Sequence, residues 1–293
     1  MSTSFQRIFK GQVEAVICDW AGTTYDFGSM APIRAFQTLF ETNKVAITIS
    51  EAREPMGTEK REHITRLLAM PRIKQAWVSQ YGQEASDADI DRLYIDFLPL
   101  QIEAIKACAQ PITGWLKTAS MLQNQNIKLG ANTGYNRTML DVLAKIAYEH
   151  GYQPQSSVCA SEVPKGRPFP QMSLKNALEL GVSDVRACIK VDDTIPGIEE
   201  GLSAGMWTVG VTISGNEVGC SLDEWESLDQ AKKNHLRSQA IQRFRNHGTH
   251  IIIDSVAQLS LAVKQINHWL SQGLNPDSAR LVGSILETES SIQ

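Results

Sequence analysis

From residue 127 to residue 211 short apolar runs alternate with amphipathic stretches, and this alternation constrains the fold more than any other feature of the chain. The runs are Ile127-Lys128-Leu129-Gly130-Ala131-Asn132, Ser157-Val158-Cys159, Ala187-Cys188-Ile189-Lys190-Val191 and Trp207-Thr208-Val209-Gly210-Val211, each of strand length. Between them, residues of about 137–150, 170–180 and 196–204 read as helices. Strands separated by helices predict a parallel sheet covered on both faces. An earlier run, Val13-Glu14-Ala15-Val16-Ile17-Cys18-Asp19, supplies the first strand, and Ile251-Ile252-Ile253-Asp254 with a closing helix over 256–270 supplies the last.

One block breaks this rhythm. Ile33, Phe36, Leu39 and Phe40 have helical spacing over residues 30–42, with Ala31-Pro32 at the start. Residues 50–109 then look wholly helical, with clusters such as Ile64-Leu67-Leu68 and Leu93-Phe97-Ile102-Ile105 and no strand-like run. The expected architecture is an α/β fold, with a doubly wound parallel-sheet core of residues 1–27 and 109–293 and an inserted helical cap domain of residues 28–108. Residues 1–12 read as a loose lead-in, 222–247 as a charged helix packing on the core, and the stretch from about 272 as a frayed tail.

Composition narrows the function classes. With 293 residues the chain can bury a sizeable core, and a net charge of -4 gives no electrostatic case for nucleic acid or an anionic membrane surface. No apolar run approaches the ~20 residues needed to span a bilayer. Cys18, Cys108, Cys159, Cys188 and Cys220 lie far apart without CxxC spacing, and the N-terminus lacks the apolar core of a signal peptide. Reduced thiols in a cytoplasmic protein are the expectation.

Ligands of open parallel sheets sit at the carboxyl ends of the strands. Asp19 ends the first strand, Thr133 follows the second, and Asp192-Asp193 follows a later one, while Arg167 stands in Gly166-Arg167-Pro168. This ordered set resembles the haloacid dehalogenase superfamily. Three segments sharpen it: Asp19-Trp20-Ala21-Gly22-Thr23-Thr24, Pro55-Met56-Gly57-Thr58-Glu59-Lys60 and Asn132-Thr133-Gly134-Tyr135 resemble the phosphonatase family, the phosphonoacetaldehyde hydrolases. The resemblance runs from about residue 13 to residue 219.

The resemblance implies cleavage of the carbon–phosphorus bond of a small-molecule substrate, phosphonoacetaldehyde, to acetaldehyde and phosphate. Asp19 would be the nucleophile, and Lys60 would form an imine with the aldehyde. Thr133, Gly134 and Arg167 would hold the phosphonyl oxygens, with Lys165 a lower-ranked rival to Arg167. Met56 and Tyr135 would border the pocket, and His63, three residues after Lys60, would help proton transfer. Mg2+ would be held by Asp19, the Ala21 carbonyl and Asp193. Many superfamily members carry another acid where this chain has Gly197, so Asp192 is a possible substitute. Relatives form homodimers through the cap, and Trp77, Tyr81, Tyr94 and Phe97 are open to two readings, dimer surface or cap core.

Position 21 carries an independent argument. Most phosphatases of the superfamily hold a second aspartate two residues after the nucleophile, as general acid for a poor alkoxide leaving group. Here it is Ala21, so the departing group needs another means of stabilisation. A protonated imine on Lys60 is such an electron sink. A free lysine titrates at ~10.4, so its surroundings must lower that value. The expected causes are a helix start with Thr58 as N-cap, the neighbouring charge of Arg61, and desolvation on cap closure.

Overall fold

The computed structural model describes residues 9–279. Six parallel strands form one sheet in the order β3-β2-β1-β4-β5-β6. β1 (Ala15–Asp19) is followed by α1 (Met30–Thr42), α2 (Ile49–Arg53), α3 (Lys60–Ala69), α4 (Pro71–Tyr81) and α5 (Asp87–Cys108), all before the chain returns to the sheet. α6 (Trp115–Asn124), β2 (Lys128–Thr133), α7 (Arg137–Glu149) and β3 (Ser156–Cys159) then build one side of β1. α8 (Gln171–Glu179), β4 (Cys188–Asp192), α9 (Ile195–Ser203) and β5 (Trp207–Val211) build the other. α10 (Leu222–Ser227), α11 (Gln230–Asn246), β6 (Ile251–Ile253), α12 (Leu259–Ser271) and α13 (Pro276–Ala279) complete the described chain.

The period of the strand explains how both faces are covered. Val16 and Cys18 of β1 enter the larger apolar cluster, whereas Ala15 and Ile17 join Ala177, Leu180 and Met206 on the opposite face. That larger cluster runs without a break from the sheet into the inserted helices, through Phe36, Ile64, Leu67, Trp77 and Phe97. The inserted segment therefore shares its interior with the sheet. Its two connections are themselves paired, with Asp26 N donating to Gln110 O at 2.9 Å and Ile112 N to Thr24 O at 2.9 Å.

Several local expectations change. The segment 222–247 is two helices, because Leu228 is extended and the Asp229 side chain caps a new start by accepting from Lys232 N. α11 buries Ala240, Ile241 and Phe244 against the core. The described part of the expected tail is ordered as α13, where Asn275 Oδ1 accepts from Ser278 N and His250 Nε2 donates to Pro276 O at 2.7 Å. The rest of that tail, and residues 1–8 of the lead-in, lie outside the described residues. Trp77 and Phe97 are buried, which places them in the interior of the inserted helices, while Tyr81 is 42% exposed. No described helix is long and apolar enough to cross a membrane.

Candidate active site

The strand order reverses at β1: β2 and β3 lie on one side, β4 to β6 on the other, which makes its C-terminal end the topological switch point. Register does the rest. Asp19 pairs with Asn132, and Cys18 with Val191, so Asp19, Thr133 and the Asp192-Asp193 pair converge at one edge although they are far apart in sequence. The inserted helices bring Met56 and Lys60 over this edge. A cleft lined by Asp19, Ala21, Met56, Lys60, Thr133, Gly134, Tyr135 and Arg167 results. Ser29, Pro32, Gly57 and Thr194 complete its wall and were not among the expected site residues.

Gly57 shows how closely the two parts approach. Its φ is +89°, in the left-handed region, and a side chain there would overlap Thr194 at the start of α9. The cleft that remains encloses a void of ≈ 20 Å3, room for about one water.

Arg167 is the hub. Its Nη2 donates to Asp19 Oδ1 at 2.6 Å and to Asn132 Oδ1 at 2.7 Å, and its Nε donates to Glu200 Oε2 at 2.9 Å. Among the described residues Nη1 reaches only the Gly57 carbonyl, at 3.5 Å, which leaves that edge of the guanidinium for an anion in the cleft. Lys165 lies exposed, its Nζ 4.7 Å from the Phe169 ring centroid, so Arg167 and not Lys165 occupies the site.

A second buried cation lies beneath it. Lys190 Nζ donates to Asn132 Oδ1 at 2.6 Å and stands 2.9 Å from Asp192 Oδ2, with Arg167 Nη2 3.2 Å from the same oxygen. Asp192 Oδ1 accepts from Thr194 N and Oγ1. Asn132, Lys190 and Glu200 were missed in the sequence, although a lysine inside the apolar run Ala187-Cys188-Ile189-Lys190-Val191 is a usable signal, since a buried lysine must find anionic partners.

Gly197 is explained by this arrangement. A side chain at that position would overlap the Asp192 carboxylate, so the Asp192 carboxylate already fills the space in which an acid at 197 would begin. Gly197→Asp is accordingly expected to destabilise the fold by about 3 kcal/mol through overpacking and like-charge burial, with much of the loss recovered by adding Asp192→Gly. Denaturant unfolding of the two variants measures this, and a Gly197→Asp chain as stable as the parent would contradict it.

Asp19, Asp192 and Asp193 bring carboxylate oxygens within 4.8 Å of one another, all buried. Burial and the charges of Asp19 and Asp192 push the Asp193 carboxyl well above its usual range, while hydrogen bonds from Asn216 N and Thr23 Oγ1 oppose this. Among the described residues no cation forms an ion pair with Asp193, whereas Asp192 has two. A set of hard oxygen donors with one uncompensated carboxylate fits a divalent cation.

Lys60 is the first residue of α3, capped by the Glu59 side chain, which accepts from Arg61 N and Glu62 N. Thr58, expected as the cap, donates its hydroxyl to Pro55 O instead and stabilises the turn before the helix. Burial pushes the Lys60 amine down to about 8, assisted by Arg167 and opposed by Asp19 and Glu59. Arg61, expected to contribute like charge, turns outward to pair with Asp91 at 2.7 Å. The Tyr135 ring lies 5.3 Å from Lys60 Nζ, and its hydroxyl accepts from Gln101 Nε2 at 3.3 Å.

His63 is fully buried one turn on and does not line the cleft. Its Nε2 sits 3.0 Å from Ala52 O, which can only accept, so the proton is on Nε2. Nδ1 is then a bare acceptor, without a partner among the described residues. Burial and the nearby Lys60 charge keep the ring neutral.

The model of the haloacid dehalogenase-like hydrolase family matches residues 13–205, the span that carries this switch point and its acidic cluster. The chain is 65% identical over 286 residues to the phosphonoacetaldehyde hydrolase of Hahella chejuensis, covering 98% of this chain and 97% of that one. It is 43% identical to the phosphonoacetaldehyde hydrolase of Vibrio cholerae over 90% of this chain and 98% of that one. A crystal structure of a phosphonoacetaldehyde hydrolase-like protein from Oleispira antarctica superposes with a TM-score of 0.92 at 49% identity, covering 94% of this chain and 100% of that one. The chain belongs to the phosphonoacetaldehyde hydrolase family.

Proposed function

We propose that the chain hydrolyses the carbon–phosphorus bond of phosphonoacetaldehyde, using a Lys60 imine and an aspartyl phosphate on Asp19. The observation that carries this is the buried Lys60 amine, lowered to about 8, lining the same cleft as Asp19 and Arg167 while position 21 offers no acid. The neutral amine of Lys60 adds to the aldehyde carbon, and the carbinolamine takes up one proton from solvent and loses water, giving a protonated imine. Asp19 then attacks phosphorus as the carbon–phosphorus bond breaks, and the bonding pair moves into the imine to form an enamine. Protonation of the enamine carbon and hydrolysis release acetaldehyde and restore Lys60. Water cleaves the aspartyl phosphate to give phosphate.

The remaining residues position and stabilise. Arg167, through its open Nη1 edge, with Thr133 and the Gly134 amide, holds phosphonyl oxygens. Met56 and Tyr135 pack around the imine. The proton-transfer role expected for His63 does not suit a ring that is fully buried, off the cleft wall and held neutral, so His63 is assigned to packing behind Lys60. Mg2+ held by Asp19, Asp193 and the Ala21 carbonyl would supply charge neutralisation between the nucleophile and the phosphonate. Asp192, tied to Lys190, Arg167 and Thr194, is assigned to holding those partners in place.

The narrowness of the cleft, with a void of ≈ 20 Å3, supports reading residues 28–108 as a cap that parts for entry and closes for chemistry. The working unit is a homodimer formed through this cap, in the cytoplasm. Release of acetaldehyde and phosphate in equal amounts from phosphonoacetaldehyde tests the function. Faster phosphate release from simple phosphate esters would favour a phosphatase instead.

A pH dependence follows from Lys60. Only the deprotonated amine adds to the aldehyde, so kcat/KM is expected to fall about tenfold per pH unit below a limb near the Lys60 value of about 8. A profile that stays flat from pH 8 down to the carboxylate range would contradict this assignment.

A further inference from the structure

The strongest unassigned feature is one guanidinium joining three separate segments. Arg53 ends α2, just ahead of Met56 and Lys60. Its Nη1 donates to the Gly28 carbonyl at 2.7 Å, in the connection between β1 and α1, and to Asn216 Oδ1 at 3.2 Å, in the loop after β5. Its Nη2 lies 3.2 Å from the Met30 sulfur.

Both protein oxygens that accept from Nη1 belong to the frame of the site. Asn216 N donates to Asp193 Oδ2 at 2.8 Å, so the residue that receives Arg53 also holds the Asp193 carboxylate. Gly28 N donates to Ser214 O at 2.7 Å, and Ser214 Oγ donates to Gly22 O at 2.9 Å, which closes the loop back onto the segment after Asp19. Nothing in this network touches the cleft, and Arg53 is absent from its wall.

We propose that Arg53 is a positioning residue: it fixes the Met56–Lys60 segment of the cap to the loop that holds Asp193, so that the amine and the core carboxylates are registered by one side chain. The proposal rests on the Lys60 imine reading for its chemical consequence. Nη1 engages both oxygens while Nη2 lies against the Met30 sulfur, and a lysine at this position offers a single nitrogen in place of that pair.

The test compares Arg53→Ala and Arg53→Lys with the parent in phosphate release, in borohydride trapping of Lys60, and in thermal denaturation. Misplacement of a reacting group by about an ångström costs on the order of 100-fold, so kcat of both variants is expected to fall by about that factor. Added guanidinium ion, far below denaturing concentration, is expected to recover a substantial part of kcat in Arg53→Ala and none in Arg53→Lys. A purely structural strut would give a lower melting temperature and no rescue. Variants within about threefold of the parent, or a loss that guanidinium leaves unchanged, would overturn the proposal. If the parent itself resists trapping while guanidinium still rescues phosphate release, the imine reading fails and the positioning role of Arg53 stands.

Discussion

Lys60→Arg is expected to lower kcat/KM for phosphonoacetaldehyde by about 10⁴-fold or more, the scale on which loss of a covalent catalyst is felt. Arginine retains the positive charge and much of the apolar stem, so it separates two roles that alanine would remove together. A guanidinium never loses its proton at neutral pH and offers no nucleophilic amine. If position 60 served only to attract the phosphonate, arginine would preserve most of the rate. The buried setting makes the distinction sharper, because burial is the main cause that lowers the Lys60 amine toward neutrality. Steady-state phosphate release, with thermal denaturation to confirm a folded variant, measures the effect.

Asp19→Asn is expected to remove phosphate release to a similar degree while leaving imine formation on Lys60 intact. The two groups lie on different segments, one at the end of β1 and one at the start of α3, and in the proposed sequence imine formation comes before attack by Asp19. Stability should move the other way. Burial raises the Asp19 carboxyl against the pull of Arg167, so the folded chain binds that proton more tightly than the unfolded chain does. Stability is then lost as pH rises from the ordinary carboxylate range through the raised folded value, and at neutral pH the ionised group is a net cost. Asparagine, a neutral isostere, is expected to melt no lower than the parent at neutral pH. A marked drop would show that the Arg167–Asp19 pair, at 2.6 Å, stabilises the fold more than its burial costs.

Much of the site was legible because its logic is local. An apolar run that ends on an aspartate places Asp19 at a strand end, and the same pattern places Thr133 and Asp193. The helical block after the first strand was legible from spacing alone, as was the start of α1 around Pro32. What escaped has a common physical cause. Lys190, Asn132 and Glu200 become a charge network only through sheet register and helix packing, which bring residues 132, 190 and 200 to one place.

The same cause accounts for smaller misreadings. Thr58 was expected as the cap, but the Pro55 carbonyl takes its hydroxyl and the Glu59 side chain caps the helix instead. Arg61 stands next to Lys60 in the chain, yet helical geometry sends it outward to Asp91. The amine is lowered mainly by burial, which is the expected desolvation and owes nothing to the charge of Arg61. Gly197 was readable as a missing acid, but only the packing shows that Asp192 fills its place.

The most direct test of the Lys60 imine is borohydride reduction in the presence of phosphonoacetaldehyde, followed by mass spectrometry of the digested chain. The expected result is loss of activity together with a reduced two-carbon adduct on Lys60 and on no other lysine. An enzyme that emerges active and unlabelled, or labelled elsewhere, would contradict cleavage through a Lys60 imine.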